Sequence, residues 1–174
     1  MMPTNSFTPD TAQLMQTERL TMRPVTTDML PELHQLFIDP LVRRFLLDDE
    51  VVAYEWTANV ILTSQESFEK NSYGLWALQQ KNAQPLIGFC GYWRFDQLSY
   101  PLQLIYGLLP AYWGKGWATE AAQAMIAYGF EQVGFSEIVS AADIPNSASF
   151  KVMERLGMRY WKREDVIDYY KLER

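Results

Sequence analysis

Apolar and polar residues alternate from Arg19 to Val25, and this period of two predicts a half-buried strand over 19–25. Thr26, Thr27 and Asp28 follow as side-chain acceptors for a helix start, and a helix is predicted through 37. Asp39-Pro40 opens a second short helix through 46, because proline is tolerated in a first helical turn, and a longer helical stretch covers 51–69. Two apolar runs over 73–78 and 86–93 flank the polar turn 80–85 and predict an antiparallel hairpin, with a further strand over 102–109. From 115 to 132, Ala118, Ala121, Ala122, Met125, Ile126 and Gly129 recur at helical intervals, giving a small-residue face that can lie close to a sheet. A strand over 138–142, a helix over 147–156 stopped by Gly157, and two strands over 158–163 and 166–172 close the chain.

Residues 1–16 show little periodicity and read as a tail or arm, and 17–174 as one domain. Helices first, antiparallel strands next, then alternating strands and helices predict an α/β fold: one mixed, mostly antiparallel sheet flanked by helices on both faces.

The length of 174 residues suffices to bury about two thirds of the unfolded chain's surface. The net charge of −6, with no basic block, argues against a nucleic-acid partner. No apolar run has the length of a membrane span, and the opening residues lack the basic start and apolar core of a signal peptide, so no membrane partner and a cytoplasmic address are expected. Cys90 and His34 are each the only residue of their kind, which rules out an internal disulfide framework and a multi-cysteine zinc site; no metal is expected. Proton transfer near neutral pH then falls to a shifted carboxylate, an amine, a tyrosine or a chain of waters. Cys90 reads as core and His34, beside Glu32 and Gln35, as solvated. Trp76, Tyr92, Trp93 and Tyr106 fit either the core or the lining of an acceptor pocket.

The stretch from Leu108 to Ala121 runs from a strand through a glycine-rich turn into a helix. Gly114 and Gly116 let a ligand approach the backbone, and the first helical turn presents free N–H groups at the positive end of the helix dipole. A diphosphate fits such a cradle, with Lys115 as an added cation and Thr119 as a hydroxyl donor. The spacing matches neither the Walker A pattern nor the dinucleotide fingerprint, since Thr119 stands in the third glycine's place, and by itself it also fits a plain turn and helix start.

Over 17–160 the chain resembles the RimJ/RimL branch of the GNAT acetyltransferases. Thr17-Glu-Arg-Leu-Thr-Met-Arg-Pro24 looks like that branch's opening strand and Asp39-Pro-Leu-Val-Arg-Arg-Phe-Leu46 like its following segment. The run from Leu104 to Ala121 is similar to its CoA-binding strand, loop and helix, and Asn146-Ser-Ala-Ser-Phe-Lys-Val-Met-Glu-Arg-Leu-Gly-Met158 to its closing helix. Trp113 departs from the Gln or Arg that opens the family's loop pattern. The resemblance implies that amides of Gly114, Lys115, Gly116, Trp117, Ala118 and Thr119 hold the CoA diphosphate. It further implies that the strand holding Tyr106, Leu108 and Leu109 splays from its neighbour to leave a pantetheine slot, where a main-chain amide could face the thioester oxygen.

By the same resemblance Asn146 touches the CoA arm and Ser149 protonates the departing thiolate; a plain N-cap and a small packing residue are the alternatives. Met153 stands where many relatives carry a tyrosine acid, and Gln103 where some carry Glu, leaving Glu55, Asp96 and Asp143 as possible bases. The implied activity is transfer of acetyl from acetyl-CoA to a primary amine, on a protein N-terminus or a small molecule, within a ternary complex. A non-catalytic acyl-CoA-binding protein is the alternative, and monomer and homodimer are both open.

Overall fold

The computed structural model describes residues 14–174. Most of the expected arm lies outside these residues, but its end is ordered into a strand: Met15–Gln16 (β1) pairs antiparallel with Leu20–Pro24 (β2). Thr17 closes the reversal, its N–H donating to Leu20 O and its Oγ1 accepting from Leu20 N–H, each at 3.0 Å.

A 3₁₀ turn, Thr27–Met29, leads into α1 (Leu30–Ile38). Asp39 then caps α2 (Pro40–Leu46), its carboxylate accepting from the amides of Leu41 at 2.9 Å and Val42 at 3.2 Å. α3 (Tyr54–Asn71) starts later than its apolar pattern suggests, because Ala53 is extended. β3 (Leu75–Gln80), β4 (Leu86–Arg94) and β5 (Leu102–Leu108) complete a five-stranded antiparallel sheet in the order β1-β2-β3-β4-β5. Alternate residues of β3 serve opposite faces: Leu75 and Ala77 pack with Leu33, Leu36 and Ile61 of α1 and α3. Trp76 and Leu78 pack instead with Ala121, Ala122 and Met125 of α4 (Trp117–Tyr128). Both faces of the central strands are therefore buried, which explains why they read as unbroken apolar runs.

β6 (Glu137–Asp143), α5 (Ser147–Arg155), β7 (Arg159–Glu164) and β8 (Ile167–Glu173) follow, with the strands ordered β6-β8-β7. The single sheet expected from the sequence is thus two hydrogen-bonded sheets. Among the described residues no backbone ladder joins β5 to β6; the Ser140 hydroxyl donates to Leu104 O at 2.8 Å and occupies a carbonyl that a ladder would use.

The predicted helix over 115–132 starts later than expected and stays helical to Val133. Gly116, left-handed at φ 80°, delays its start to Trp117. At the far end the Tyr92 hydroxyl donates to Met125 O at 2.7 Å, and the helix widens into a π turn at Gly129–Val133. Only glycine fits there, since a Cβ on Gly129 would lie 2.2 Å from the Tyr92 oxygen. His34 also differs from expectation: it is half-buried, with Nδ1 2.9 Å from the buried Thr57 hydroxyl. Among the described residues no helix is long and apolar enough to cross a membrane.

One polar tie fixes the N-terminal strands to α4. The Glu120 carboxylate accepts from the Thr17 hydroxyl, from the Arg19 N–H at 2.8 Å and from Arg19 Nε at 2.6 Å. Burial works against its charged form, but these hydrogen bonds, from Thr17 and then from Arg19, hold its carboxyl below the ordinary value of 4.5. A carboxyl so depressed stabilises the fold above its unfolded-state value and loses that effect as pH falls through its folded-state value. Glu120→Gln is therefore expected to cost about 1 to 2 kcal/mol at pH 7. Thermal melts should show the gap to wild type intact at neutral pH and narrowing only below about pH 4.5.

Candidate active site

The divergence of β5 from β6 opens a cleft of about 390 Å³, walled by the two strands, the loop into α4, the first turns of α4 and α5, and α2. The register shows what β5 offers to it. Gly88 stands opposite Leu108 and Cys90 opposite Tyr106, and the Leu109 N–H donates to Ile87 O at 2.9 Å. Alternate residues of an antiparallel pair exchange both bonds, so residues 105, 107 and 109 turn their main-chain groups to β4. Leu104, Tyr106 and Leu108 turn theirs away from β4, toward β6. Two carbonyls on that edge are satisfied by side chains: Leu104 O by Ser140 and Leu108 O by the indole N–H of Trp113 at 2.7 Å. Trp113, the residue that breaks the family's loop pattern, thereby closes the end of β5. Tyr106 keeps its main-chain groups on the open edge, while its hydroxyl donates to Ser149 O at 3.1 Å and links β5 to α5. Burial pushes the Tyr106 phenol up and keeps it protonated.

At the start of α4, Gly114 and Gly116 have φ of 71° and 80°, backbone that favours glycine, and a Cβ built on Gly114 would meet nothing within 4 Å. No side chain caps the helix, and Glu120 N–H, donating to Gly116 O at 3.0 Å, is where the regular helical ladder begins. The amides before it retain donors for a ligand. Two residues of the cleft lining each carry a buried polar atom without a partner, Thr119 Oγ1 and Trp117 Nε1. A buried donor left unsatisfied is costly, so both atoms fit a ligand rich in acceptors. An outer groove, lined by Gly116, Thr119, Gln123 and Arg155 among others, continues from this point.

The sequence-predicted site residues mostly converge here. Tyr106, Leu108, Trp113, Gly114, Gly116, Trp117, Ala118, Thr119, Asn146 and Ser149 all line the cleft. Leu109 does not: its amide is engaged by Ile87 and its side chain packs with the core on the opposite face. Lys115 is exposed beside the cleft, its ammonium donating to Ala111 O at 2.9 Å. Asn146 caps α5 through Oδ1, which accepts from Ser149 N–H at 3.2 Å, and still reaches the cleft wall.

Among the possible bases, Glu55 is exposed outside the cleft lining and Asp96 pairs with Arg94 at 2.8 Å. Gln103 is buried, donating to Tyr100 O at 3.1 Å. Asp143 ends β6 between the lining residues Ala142 and Asn146; burial, and then the charge of Asp48, raise its carboxyl. Cys90 is fully buried, and burial pushes its thiol far up, which leaves no thiolate for nucleophilic work. The sequence reading missed Leu41 and Phe45 of α2, and Lys151 and Arg155 of α5, all in the cleft lining. Each pair is one helical turn apart, a spacing visible in the sequence, but which surface it faces depends on how the helices dock.

Residues 19–159 match the family model described as an acetyltransferase (GNAT) domain. The uncharacterised N-acetyltransferase YoaA of Bacillus subtilis (strain 168) is 23% identical over 157 residues, 90% of this chain and 87% of YoaA. Among solved structures, an acetyltransferase from Agrobacterium tumefaciens str. C58 shares the fold with a TM-score of 0.82 at 21% identity, over 98% of this chain and 99% of that one. RimL, a ribosomal L7/L12 alpha-N-protein acetyltransferase in complex with coenzyme A, does so with a TM-score of 0.75 at 15% identity, over 92% of this chain and 98% of its own. The family match spans β5, the glycine loop, α4 and α5, and the chain belongs to the GNAT acetyltransferase family.

Proposed function

We propose that this chain transfers the acetyl group of acetyl-CoA to a primary amine by direct attack within a ternary complex. The observation that carries the reading is the start of α4, where uncapped amides and the unpartnered Thr119 Oγ1 and Trp117 Nε1 adjoin the gap between β5 and β6. Bound acetyl-CoA would supply an activated thioester carbonyl. Amides from Gly114 to Thr119, with the positive end of α4, hold the diphosphate, while Arg155 and Lys151 add cations along the wall. The open edge at Tyr106 and Leu108 offers an amide to the carbonyl oxygen, where negative charge grows as the amine nitrogen attacks the carbonyl carbon. The C–S bond then breaks, and the leaving thiolate takes a proton through the Ser149 hydroxyl, which regains one from solvent water while the proton lost by the amine returns to solvent.

Asp143 takes the proton lost by the amine, directly or through water; its raised proton affinity and its position at the end of β6 support that role. The acceptor class comprises protein α-amines, as RimL's name states for that relative, and small primary amines.

Acetyl-CoA at about a hundred times its dissociation constant should stabilise the protein by roughly 2.7 kcal/mol in a thermal-shift assay. Thr119→Val keeps the shape and removes a hydroxyl that has no partner, so the free protein should melt at or above the wild-type temperature while the acetyl-CoA shift shrinks. No shift in a folded wild type would overturn the reading, and a shift without CoA release across an amine panel would make the chain a binding protein. Because no thiolate is needed, Cys90→Ala should retain wild-type kcat, and initial-rate lines should intersect as a ternary complex requires. Asp143→Asn should lower kcat/KM by about a hundredfold or more. The acid limb of the wild-type pH–rate profile should lie above the ordinary carboxyl value of 3.8, and a variant within twofold of wild type would exclude Asp143 as the base.

A further inference from the structure

The segment Thr17-Glu-Arg19 supports the family resemblance but has no part in the chemistry above. The structure joins it to the glycine loop. Arg19 Nη1 donates to Lys115 O at 3.0 Å, Arg19 Nε donates to Glu120 at 2.6 Å, and the guanidinium carbon lies 4.1 Å from the centre of the Trp117 ring. One planar side chain thus holds the loop carbonyl, the first-turn carboxylate and the aromatic face. Thr17 adds its hydroxyl to the same carboxylate.

We infer that Arg19 is a positioning residue for the diphosphate-binding amides, an inference that rests on the CoA reading above. Two physical effects support it. In a trans peptide the carbonyl and the N–H point in opposite directions, so anchoring Lys115 O to Arg19 directs the Gly116 N–H away from Arg19; there is no cis peptide among the described residues. The neighbouring glycines have the widest conformational freedom of any residue, and an amide cradle built on them binds an anion well only if ordered beforehand. The second effect is electrostatic. Glu120 lies in the first turn of α4, where its carboxylate would repel a diphosphate at the helix end; Arg19 offsets that charge and holds it on the β2 side. Arginine suits the position because its fork spans two acceptors while its plane stacks on an indole, which an ammonium group cannot do together.

The test compares donors with and without a diphosphate. Wild type, Arg19→Met and Arg19→Lys are assayed with acetyl-CoA and with S-acetylpantetheine, and CoA binding is measured by calorimetry, with melting temperatures as a check on folding. The expected result is at least a tenfold rise in the CoA dissociation constant for Arg19→Met, with a fall of similar size in the preference for acetyl-CoA over S-acetylpantetheine. Arg19→Lys should fall between the two proteins, and it carries the test if Arg19→Met does not fold. Equal losses for both donors, or CoA binding within twofold of wild type in both variants, would overturn the positioning role. A wild type that binds CoA without turnover leaves the calorimetric comparison intact; one that binds no CoA overturns the cofactor reading and this inference with it.

Discussion

A strand edge inside a folded protein needs hydrogen-bond partners, because a buried N–H or C=O that has left water without finding one costs free energy. β5 is bound to β4 on one side and has no ladder on the other. Two of its free carbonyls are met by the Ser140 hydroxyl and the Trp113 indole, which leaves the stretch around Tyr106 to face the cleft. The architecture around that edge keeps it open. β6 pairs with β8 rather than β5, and Tyr106 fixes α5 at a set distance through Ser149 O.

The second wall depends on the end of a helix. α4 packs on the sheet through the small residues Ala121 and Ala122, with Gly129 leaving room for Tyr92 just beyond its end, and the Tyr92 hydroxyl bonds to Met125 O in its last turn. With the helix so placed, its uncapped N-terminus adjoins the open edge of β5. The Arg19, Thr17 and Glu120 contacts hold the same turn from the outside. Buried helix packing fixes where the amides stand, and this polar tie fixes how they are oriented.

Much of this was legible in the chain. Strand alternation, the Asp39-Pro40 cap and the glycine that stops α5 are local signals, and the elements appear where those signals stand. The glycine loop was legible for the same reason, since left-handed backbone at Gly114 and Gly116 is a local demand. Other features were misread because they form only across long sequence separations. β1 depends on Thr17 and on pairing with β2, His34 is held by Thr57 in another helix, and the split into two sheets depends on which partner β6 selects. The same holds for Arg19: nothing local distinguishes a guanidinium that spans a loop and a helix start from one that is merely solvated.

The sequence by itself determined most of the elements, their order, the glycine turn before α4 and the family likeness, since these follow from periodicity, capping and glycine placement over short stretches. Tertiary structure decided that Leu109 turns to the opposite face, that Trp113 closes β5, that Asp143 alone among Glu55, Asp96 and Asp143 is flanked by cleft-lining residues, and that Arg19 reaches the loop. Those outcomes depend on which faces the packed elements turn toward one another. That choice is set by burial and hydrogen-bond satisfaction over the whole fold, and no short window of sequence contains it.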